Sequence, residues 1–385
     1  MTENEKNALL PAGLRDVLPG DAALEAELVE RIVAFFGQNG YERVKTPLIE
    51  FEDSLLSGAG VALAPQTFRL MDPVSQRMMA VRADITPQIA RIARTRLSEA
   101  SRPLRLSYSG EVLRIRGSQL CPERQILQVG AELIGSESPS ADTEIIFLAT
   151  DAINSLGCDD FSVDLTAPRL VPSILNQYGL PEEDLAAIRV GLDRKDPEAI
   201  KAHAGPATET LSALFDATGS VDEALARLKS LSLPETAGAE RDRLEEVVTL
   251  LRTESSGLRL TLDPVENRGF EYHTGIGFTI FARGVAGELA RGGRYRVSGD
   301  VSDDDERATG VTLNVDTILG MLPKLKGGRR ILIPRKTTRS TKIDLQKDGW
   351  VTVSSLDVTV DLCEEAKHLA CSHFFGEKGP QLVKG

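Results

Sequence analysis

The feature that most constrains this chain is a change of character at residues 168–256. There Ala, Leu and Glu dominate, and five helical stretches follow one another, most of them opened by a proline: Pro168–Tyr178, Pro181–Leu192, Pro206–Thr218, Val221–Leu228 and Pro234–Glu254. Proline suits a first helical turn, where its missing N–H has no partner to lose. Strand-like patterns lie on both sides of this block. One sheet interrupted by a helical insertion satisfies both observations, which is an α+β arrangement.

On the N-terminal side, residues 21–39 place Leu24, Leu28, Ile32 and Phe35–Phe36 at helical spacing, and Gly40 ends the run. Tyr41–Glu50 is extended, because Pro47 forbids a helix there. Thr67–Met71 and Arg77–Arg82 enclose Asp72–Gln76 as a hairpin. Thr86 caps and Pro87 opens a helix over Gln88–Leu97. Strands are expected at Leu104–Ser109, Glu111–Arg116 and Gln125–Ile134, then a helix at about Ala141–Leu156. After the insertion, strand patterns resume at Leu258–Asp263, Gly277–Phe281, Gly287–Ala290 and Thr309–Asn314. A small unit follows, with strands Ile331–Pro334 and Trp350–Val353, a helix Asp361–Phe375 and a strand Gln381–Lys384. The expected organisation is a main domain over 1–322, carrying the insertion 168–256, and a reduced α/β unit over 329–385.

Charge and cysteine usage narrow the function classes. Forty-five basic against fifty-seven acidic side chains give −12, which disfavours a phosphate backbone as the main partner. The excess is uneven, since residues 321–385 carry 12 Lys/Arg against 7 Asp/Glu. Cys121, Cys158, Cys363 and Cys371 form no CxxC pair, which argues against zinc and against a secreted disulfide framework. No signal peptide is read in the opening residues, and no stretch approaches the ~20 apolar residues of a membrane span. The expectation is a cytoplasmic protein with no metal, no cofactor and no membrane partner.

Four local patterns carry chemistry, each with a plain structural alternative. Gly13-Leu14-Arg15-Asp16-Val17-Leu18-Pro19 is a turn-rich lead into the first helix. Arg82-Ala83-Asp84-Ile85-Thr86-Pro87 turns from strand to helix; its Asp84 either pairs an ammonium or, with Thr86, caps the helix. Alternation sets Arg114 and Arg116 on one strand face, and Gln128, Gly130 and Glu132 on one face of another. Lining a pocket, that face offers guanidinium forks for anions and a carboxylate for an imidazole or amine; facing solvent, it is a polar sheet face. Asn267-Arg268-Gly269-Phe270-Glu271-Tyr272-His273 and Gly292-Gly293-Arg294-Tyr295 are either ligand-approaching glycine segments or hairpin turns. No second His or Cys lies at metal-ligand spacing from His273.

In this order, the segments resemble the class II catalytic domain of histidyl-tRNA synthetase, from about residue 10 to 322. Gly13–Pro19 and the Gly40-Tyr41-Glu42…Thr46-Pro47 step are similar to that family's opening and its dimer-forming motif 1. Arg82–Thr86 resembles its Arg-Pro-Glu-Gly-Thr loop, and Gln128–Glu132 its Gln-Leu-Gly-Cys-Glu strand. Arg268–His273 resembles the histidine-specific Arg-Gly-Leu-Asp-Tyr-Tyr loop, and Gly292–Tyr295 its Gly-Gly-Arg-Tyr.

The departures fall on the nucleotide side. Motif 2, normally Phe-Arg-x-Glu, is here Leu113-Arg114-Ile115-Arg116, which reverses a charge. Motif 3 normally ends Gly-Leu-Glu-Arg; here Asn314-Val315-Asp316-Thr317 puts Thr317 at the Arg position. Losing such a transition-state donor costs on the order of 10²–10³ in rate. The C-terminal unit is also short, about 55 residues.

This combination resembles the synthetase-like regulatory subunit of ATP phosphoribosyltransferase. The resemblance implies no catalysis, assembly with a short-form catalytic subunit, its activation in the first step of histidine biosynthesis, and feedback by histidine. It implies a histidine site of Asp84 and Thr86 at the ammonium, Arg268 at the carboxylate, Glu132 with Tyr272 near the imidazole, and Gln128 with Arg114 on the floor. A homodimer core is implied, with Ile32, Phe35, Phe36, Leu48 and Ile49 as its apolar strip, and no tRNA. An active histidyl-tRNA synthetase, a ligase for another amino acid, and a synthetase-derived binding protein with another partner remain open alternatives at this point.

Overall fold

The computed structural model describes residues 10–117, 122–266, 273–297, 306–322, 328–357 and 361–383. Two compact units are present, Met1–Val17 with Glu25–Leu322, and Leu18–Leu24 with Pro323–Gly385.

The first unit is built on a nine-stranded sheet. Helix α1 (Asp21–Gln38) leads to the two-residue β1 (Glu42–Arg43). A separate three-stranded sheet then forms from β2 (Ile49–Phe51), β3 (Arg69–Met71) and β4 (Met78–Val81), in the order β2-β4-β3. Its β3–β4 turn is fixed by Asp72, whose carboxylate accepts from the N–H groups of Val74 and Ser75 at 3.1 Å. The hairpin expected around Asp72–Gln76 is the one observed, and Asp commonly takes this role in turns. Helix α2 (Thr86–Thr95) precedes β5 (Leu104–Leu113), β6 (Gln125–Ile134), α3 (Pro139–Ser155) and β7 (Phe161–Thr166).

Six α-helices follow: Leu170–Leu175, Glu182–Asp193, Pro197–His203, Thr208–Asp216, Val221–Ser230 and Glu235–Glu254, with β8 (Gly219–Ser220) among them. The chain then returns through β9 (Leu260–Asp263), β10 (His273–Ala282), β11 (Ala290–Arg296), β12 (Arg307–Asn314) and α4 (Val315–Met321). The strand order, β1-β5-β6-β12-β11-β10-β7-β9-β8, interleaves strands from before and after the helical block.

Both faces of the sheet are covered. On one face Val129, Ala131, Leu133, Val163, Leu165, Phe278, Ile280, Val311 and Leu313 pack with α1, α3 and the inserted helices. On the other, Leu104, Leu106, Tyr108, Ile134, Tyr295 and Ala308 pack with Ile85, Ile89, Ala90 and Ala93 at α2. Double coverage explains why β6, QILQVGAELI, is buried along almost its whole length rather than at alternate positions.

Several expectations are corrected. Leu104–Ser109 and Glu111–Arg116 are one strand, β5, ending at Leu113; Gly110 stays in register opposite Gln128. A glycine is needed there, because a Cβ would lie 2.3 Å from Nη2 of Arg82. Arg114 and Arg116 therefore lie beyond the strand and do not share a strand face, and Arg116 is exposed. The strand expected at Gly287–Ala290 instead runs Ala290–Arg296. In the apolar strip, Ile32 and Phe36 are fully buried in the chain's own core, while Leu48 and Ile49 are exposed.

The second unit carries a four-stranded sheet of β13 (Arg330–Ile333), β14 (Val351–Ser354), β15 (His373–Gly376) and β16 (Gly379–Leu382), ordered β14-β13-β15-β16. Helices α5 (Arg339–Lys347) and α6 (Leu362–His368) accompany it. The helix expected over Asp361–Phe375 stops at His368. Ala370 adopts φ +51, and the chain turns into β15. No described helix is long and apolar enough to cross a membrane.

Candidate functional site: a buried carboxyl behind the α2 turn

The α2-side face of the sheet carries a row of aligned positions. Glu132 on β6 stands opposite Gly310 on β12, which stands opposite Gly293 on β11. One residue pair along, Tyr108, Gly130 and Thr312 form the neighbouring row. The glycine at 310 is a steric requirement, since a Cβ there would lie 1.7 Å from Oε2 of Glu132. Gly130 is required too, because its Cβ would meet the Tyr108 ring at 2.4 Å.

Glu132 is 1% exposed and held by hydroxyls. Thr86 Oγ1 donates to Oε1 at 3.0 Å, Tyr108 OH reaches the same oxygen at 3.4 Å, and Tyr295 OH donates to Oε2 at 2.9 Å. Burial pushes this carboxyl up to about 8; the hydrogen bonds from Tyr295, Thr86 and Tyr108 oppose the shift, and the charge of Asp84 adds to it. Tyr108 also contacts Thr86 Oγ1 at 3.2 Å and Thr312 Oγ1 at 2.9 Å.

Asp84 shapes the turn into α2 but, with Thr86, does not cap the helix as expected: the N-cap is Ile85, which has no side-chain cap. Asp84 Oδ1 accepts from the Thr86 N–H at 2.9 Å. Its Oδ2 accepts from Gln128 Nε2 at 3.0 Å, while Gln128 Oε1 accepts from the Ile85 N–H at 3.2 Å. The Gln128 amide thus clamps the 84–85 turn onto β6. Arg114 approaches the same turn from its other side, its Nε donating to the Ala83 carbonyl at 3.3 Å. Arg82 is framework rather than ligand-facing: it is buried, and donates to Glu111 O, Thr46 O and Thr46 Oγ1.

Of the expected site residues, Asp84, Thr86, Arg114, Gln128 and Glu132 are brought to one turn and one strand face. Arg268 and Tyr272 lie outside the described residues. Arg294 of the Gly-Gly-Arg-Tyr segment points to the opposite sheet face. There its guanidinium binds Asp142 at 2.9 Å and donates to Ser136 O and Ser138 O, pinning the start of α3. The sequence patterns give Tyr108, Tyr295 and Thr312 no individual role. What was lacking was the cross-strand register. Among the described residues, no group of three His, Cys, Asp or Glu could hold a metal ion.

The positions aligned with the nucleotide side look different. Asp316 pairs with Arg15 at 2.6 Å, and burial nonetheless holds its carboxyl above the usual range. Asn314 Nδ2 donates to Glu288 O at 3.1 Å and to its carboxylate at 3.2 Å. Thr317 lies on α4, and Arg116 is exposed.

Comparison with known proteins gives the family. Residues 13–318 match the family model of histidyl-tRNA synthetase. The ATP phosphoribosyltransferase regulatory subunit of Paramagnetospirillum magneticum is 51% identical over 379 residues, covering 98% of this chain and 99% of that protein. The one of Rhodospirillum centenum is 52% identical over 368 residues, covering 96% and 94%. A crystal structure of an ATP phosphoribosyltransferase regulatory subunit/histidyl-tRNA synthetase from Bacillus halodurans has the same fold, with a TM-score of 0.81 over 94% of this chain and 96% of that one, at 23% identity. The α+β, class II synthetase-like fold expected from the motifs is therefore the fold observed. The chain belongs to the histidyl-tRNA synthetase family and, within it, to the ATP phosphoribosyltransferase regulatory subunits.

Proposed function

We propose that this chain is a non-catalytic subunit that joins a short-form ATP phosphoribosyltransferase catalytic subunit in the cytoplasm, activates it, and carries feedback inhibition by histidine. The observation that carries this reading is the asymmetry of the site. The Asp84–Gln128–Thr86–Glu132 network is mutually hydrogen-bonded, with Thr86, Gln128 and Glu132 buried, whereas Thr317 and Arg116 replace the groups that would hold ATP. A zwitterion with an imidazole needs an anion for its ammonium, a cation for its carboxylate, and a partner for its ring. Asp84 with Thr86, Arg268, and Glu132 with Tyr272 take these roles, with Gln128 and Arg114 shaping the floor. Histidine then acts by binding one state of the assembly better than the other, a coupling of ~1–3 kcal/mol being typical. The subunit core is a homodimer, and tRNA is not a partner.

The test is reconstitution. A short-form catalytic subunit assayed with ATP and phosphoribosyl pyrophosphate is expected to gain activity when this chain is added, and to lose it when histidine follows. With Glu132→Ala in this chain, activation persists and the histidine response disappears. Histidine-dependent ATP–pyrophosphate exchange by the chain alone, well above background, would overturn the reading in favour of a working synthetase.

A further inference from the structure

Glu132 meets no cation among the described residues; there it is held by three hydroxyls, Thr86, Tyr108 and Tyr295. The groups facing it can be taken element by element. From the α2 turn come Asp84 and Thr86, from β5 Tyr108, from β12 Thr312, from β11 Tyr295, and from β6 itself Gln128. His273 on β10 stands opposite Tyr295, and Arg291 on β11 pairs with Glu288 at 2.7 Å. Asp84, of like sign, pushes the Glu132 carboxyl further toward its neutral form. A buried carboxylate in such company is costly, whereas a carboxylic acid is not.

Hydroxyls make the acid form easy to accommodate, because each can donate or accept. Tyr108 OH lies 2.9 Å from Thr312 Oγ1, so the phenol can direct its proton there and offer Glu132 a lone pair. We propose that Glu132 carries a proton in the ligand-free pocket and passes it to the entering neutral imidazole, so that the complex holds one proton between carboxylate and ring, with Tyr108 and Thr312 as positioning residues. The transfer balances within the site: the Glu132 O–H bond breaks, a ring N–H bond forms, and a carboxylate–imidazolium pair results. This inference rests on the histidine reading above.

The consequence is a count of protons that changes sign with pH. Near neutrality, Glu132 supplies the proton and none is exchanged with solvent. In acid, ligand and Glu132 each bring one, so one is released. In base, neither brings one, so the carboxyl and ring together take one up, beside any proton that the ligand's amino group regains.

The experiment is calorimetric titration of histidine into the full chain at about pH 5.5, about 7.2 and about 9, spanning the ordinary imidazole value of ~6.5. Each pH is run in buffers of different ionisation enthalpy. Expected are release near one proton, then near zero, then an uptake that exceeds by near one the share regained by the amino group of free histidine, which Glu132→Gln reports by itself. Infrared spectra of the wild-type chain at about pH 7.2 should show a protonated-carboxyl band that histidine abolishes and that Glu132→Gln lacks. Thr312→Ala should move the onset of uptake to lower pH, and Thr312→Ser should restore it; a merely structural Thr312 would leave that onset in place. Uptake or release near one proton at neutral pH, or no release in acid, overturns the proposal while leaving histidine binding intact. Histidine that does not bind at any pH overturns the pocket reading itself, and the proton transfer with it.

Discussion

The Glu132 end and the α4 end of the β6–β12 pair are built from the same strands but under different rules. At the Glu132 end, Thr86, Gln128 and Glu132 are buried and each is met by a neighbour: Gln128 by Asp84 and the Ile85 N–H, Glu132 by three hydroxyls. At the α4 end, the polar groups are partly exposed and pair locally, Arg15 with Asp316 and Asn314 with Glu288. A buried, mutually satisfied set loses much when one member is removed, because its partners are left desolvated and unpaired. An exposed ion pair loses little. The first end is constrained by stability as well as by any ligand; the second is free to drift. That difference teaches why a synthetase-like scaffold can lose its nucleotide-side cation and keep its fold.

The comparison is broken most forcefully from behind the pocket. Arg294 and Asp142 are both almost fully buried, at 4% and 3% side-chain exposure. Arg294→Met leaves Asp142 with only the Arg243 contact at 3.3 Å. Breaking a buried pair from one side costs about 3–5 kcal/mol, so the main unit should unfold at much lower denaturant concentration. Loss of only a few tenths of a kcal/mol in a denaturant titration would show that the buried side is no more constrained than the exposed one.

Glu132 sharpens the comparison through pH. Its carboxyl is raised from 4.5 to about 8 in the folded chain. Between those values the unfolded chain has lost a proton that the folded chain keeps, so this contribution is fully present below about 4.5 and is lost as pH rises through about 8. At ~1.4 kcal/mol per pK unit, the effect across the window is of the order of a few kcal/mol. Unfolding free energies of wild type and Glu132→Gln, measured at the two ends of that window, should therefore differ. Wild type should weaken more than the variant toward alkaline pH; parallel pH profiles would remove the buried-acid account.

Much of the scaffold was legible and much of the site was not, for the same physical reason. Strand β6 was read at its true limits, and the hairpin around Asp72 followed from turn chemistry. Gly110 misled, because an interior glycine often marks a break; here it makes room for the buried Arg82 guanidinium. β7 and the helices Pro197–His203 and Arg339–Lys347 were missed, being short and weakly patterned. The helix read across Leu369–Phe375 failed because apolar residues continue past the point where Ala370 turns the backbone. Asp84, Gln128 and Glu132 were visible as motif residues. The hydroxyl cage was not, because Tyr108 and Thr312 are 204 residues apart and meet only through strand register.

Gly310 tests the close approach of β12 to Glu132. In Gly310→Ala the new methyl would overlap Oε2, so either the carboxyl or the strand must move. Overpacking of this kind costs about 1–3 kcal/mol. Histidine affinity measured by calorimetry should fall at least tens-fold in the variant. Unchanged affinity would mean that the ligand does not depend on the position of Glu132.

The smallest effects are expected at the α4 end, and they complete the contrast. Arg15 and Asp316 are 56% and 24% exposed at the side chain, and a pair of that kind contributes about 0–1 kcal/mol. Arg15→Ala should therefore shift the thermal midpoint only slightly. Thr317→Ala should leave both stability and histidine affinity where they were, because Thr317 lies on α4 and shares no hydrogen bond with the Glu132 network among the described residues. Restoring the motif cation alone, as Thr317→Arg, should give no pyrophosphate exchange. Arg116 still reverses the motif 2 charge, and the Asn314 side chain still occupies the place of the motif glycine, bonded to Glu288. A phosphate clamp works only when its donors converge on the developing charge, and a single cation does not rebuild that convergence. Exchange activity from Thr317→Arg would show that one substitution separates the two states of this scaffold, and that the rest of the α4 end had not drifted at all.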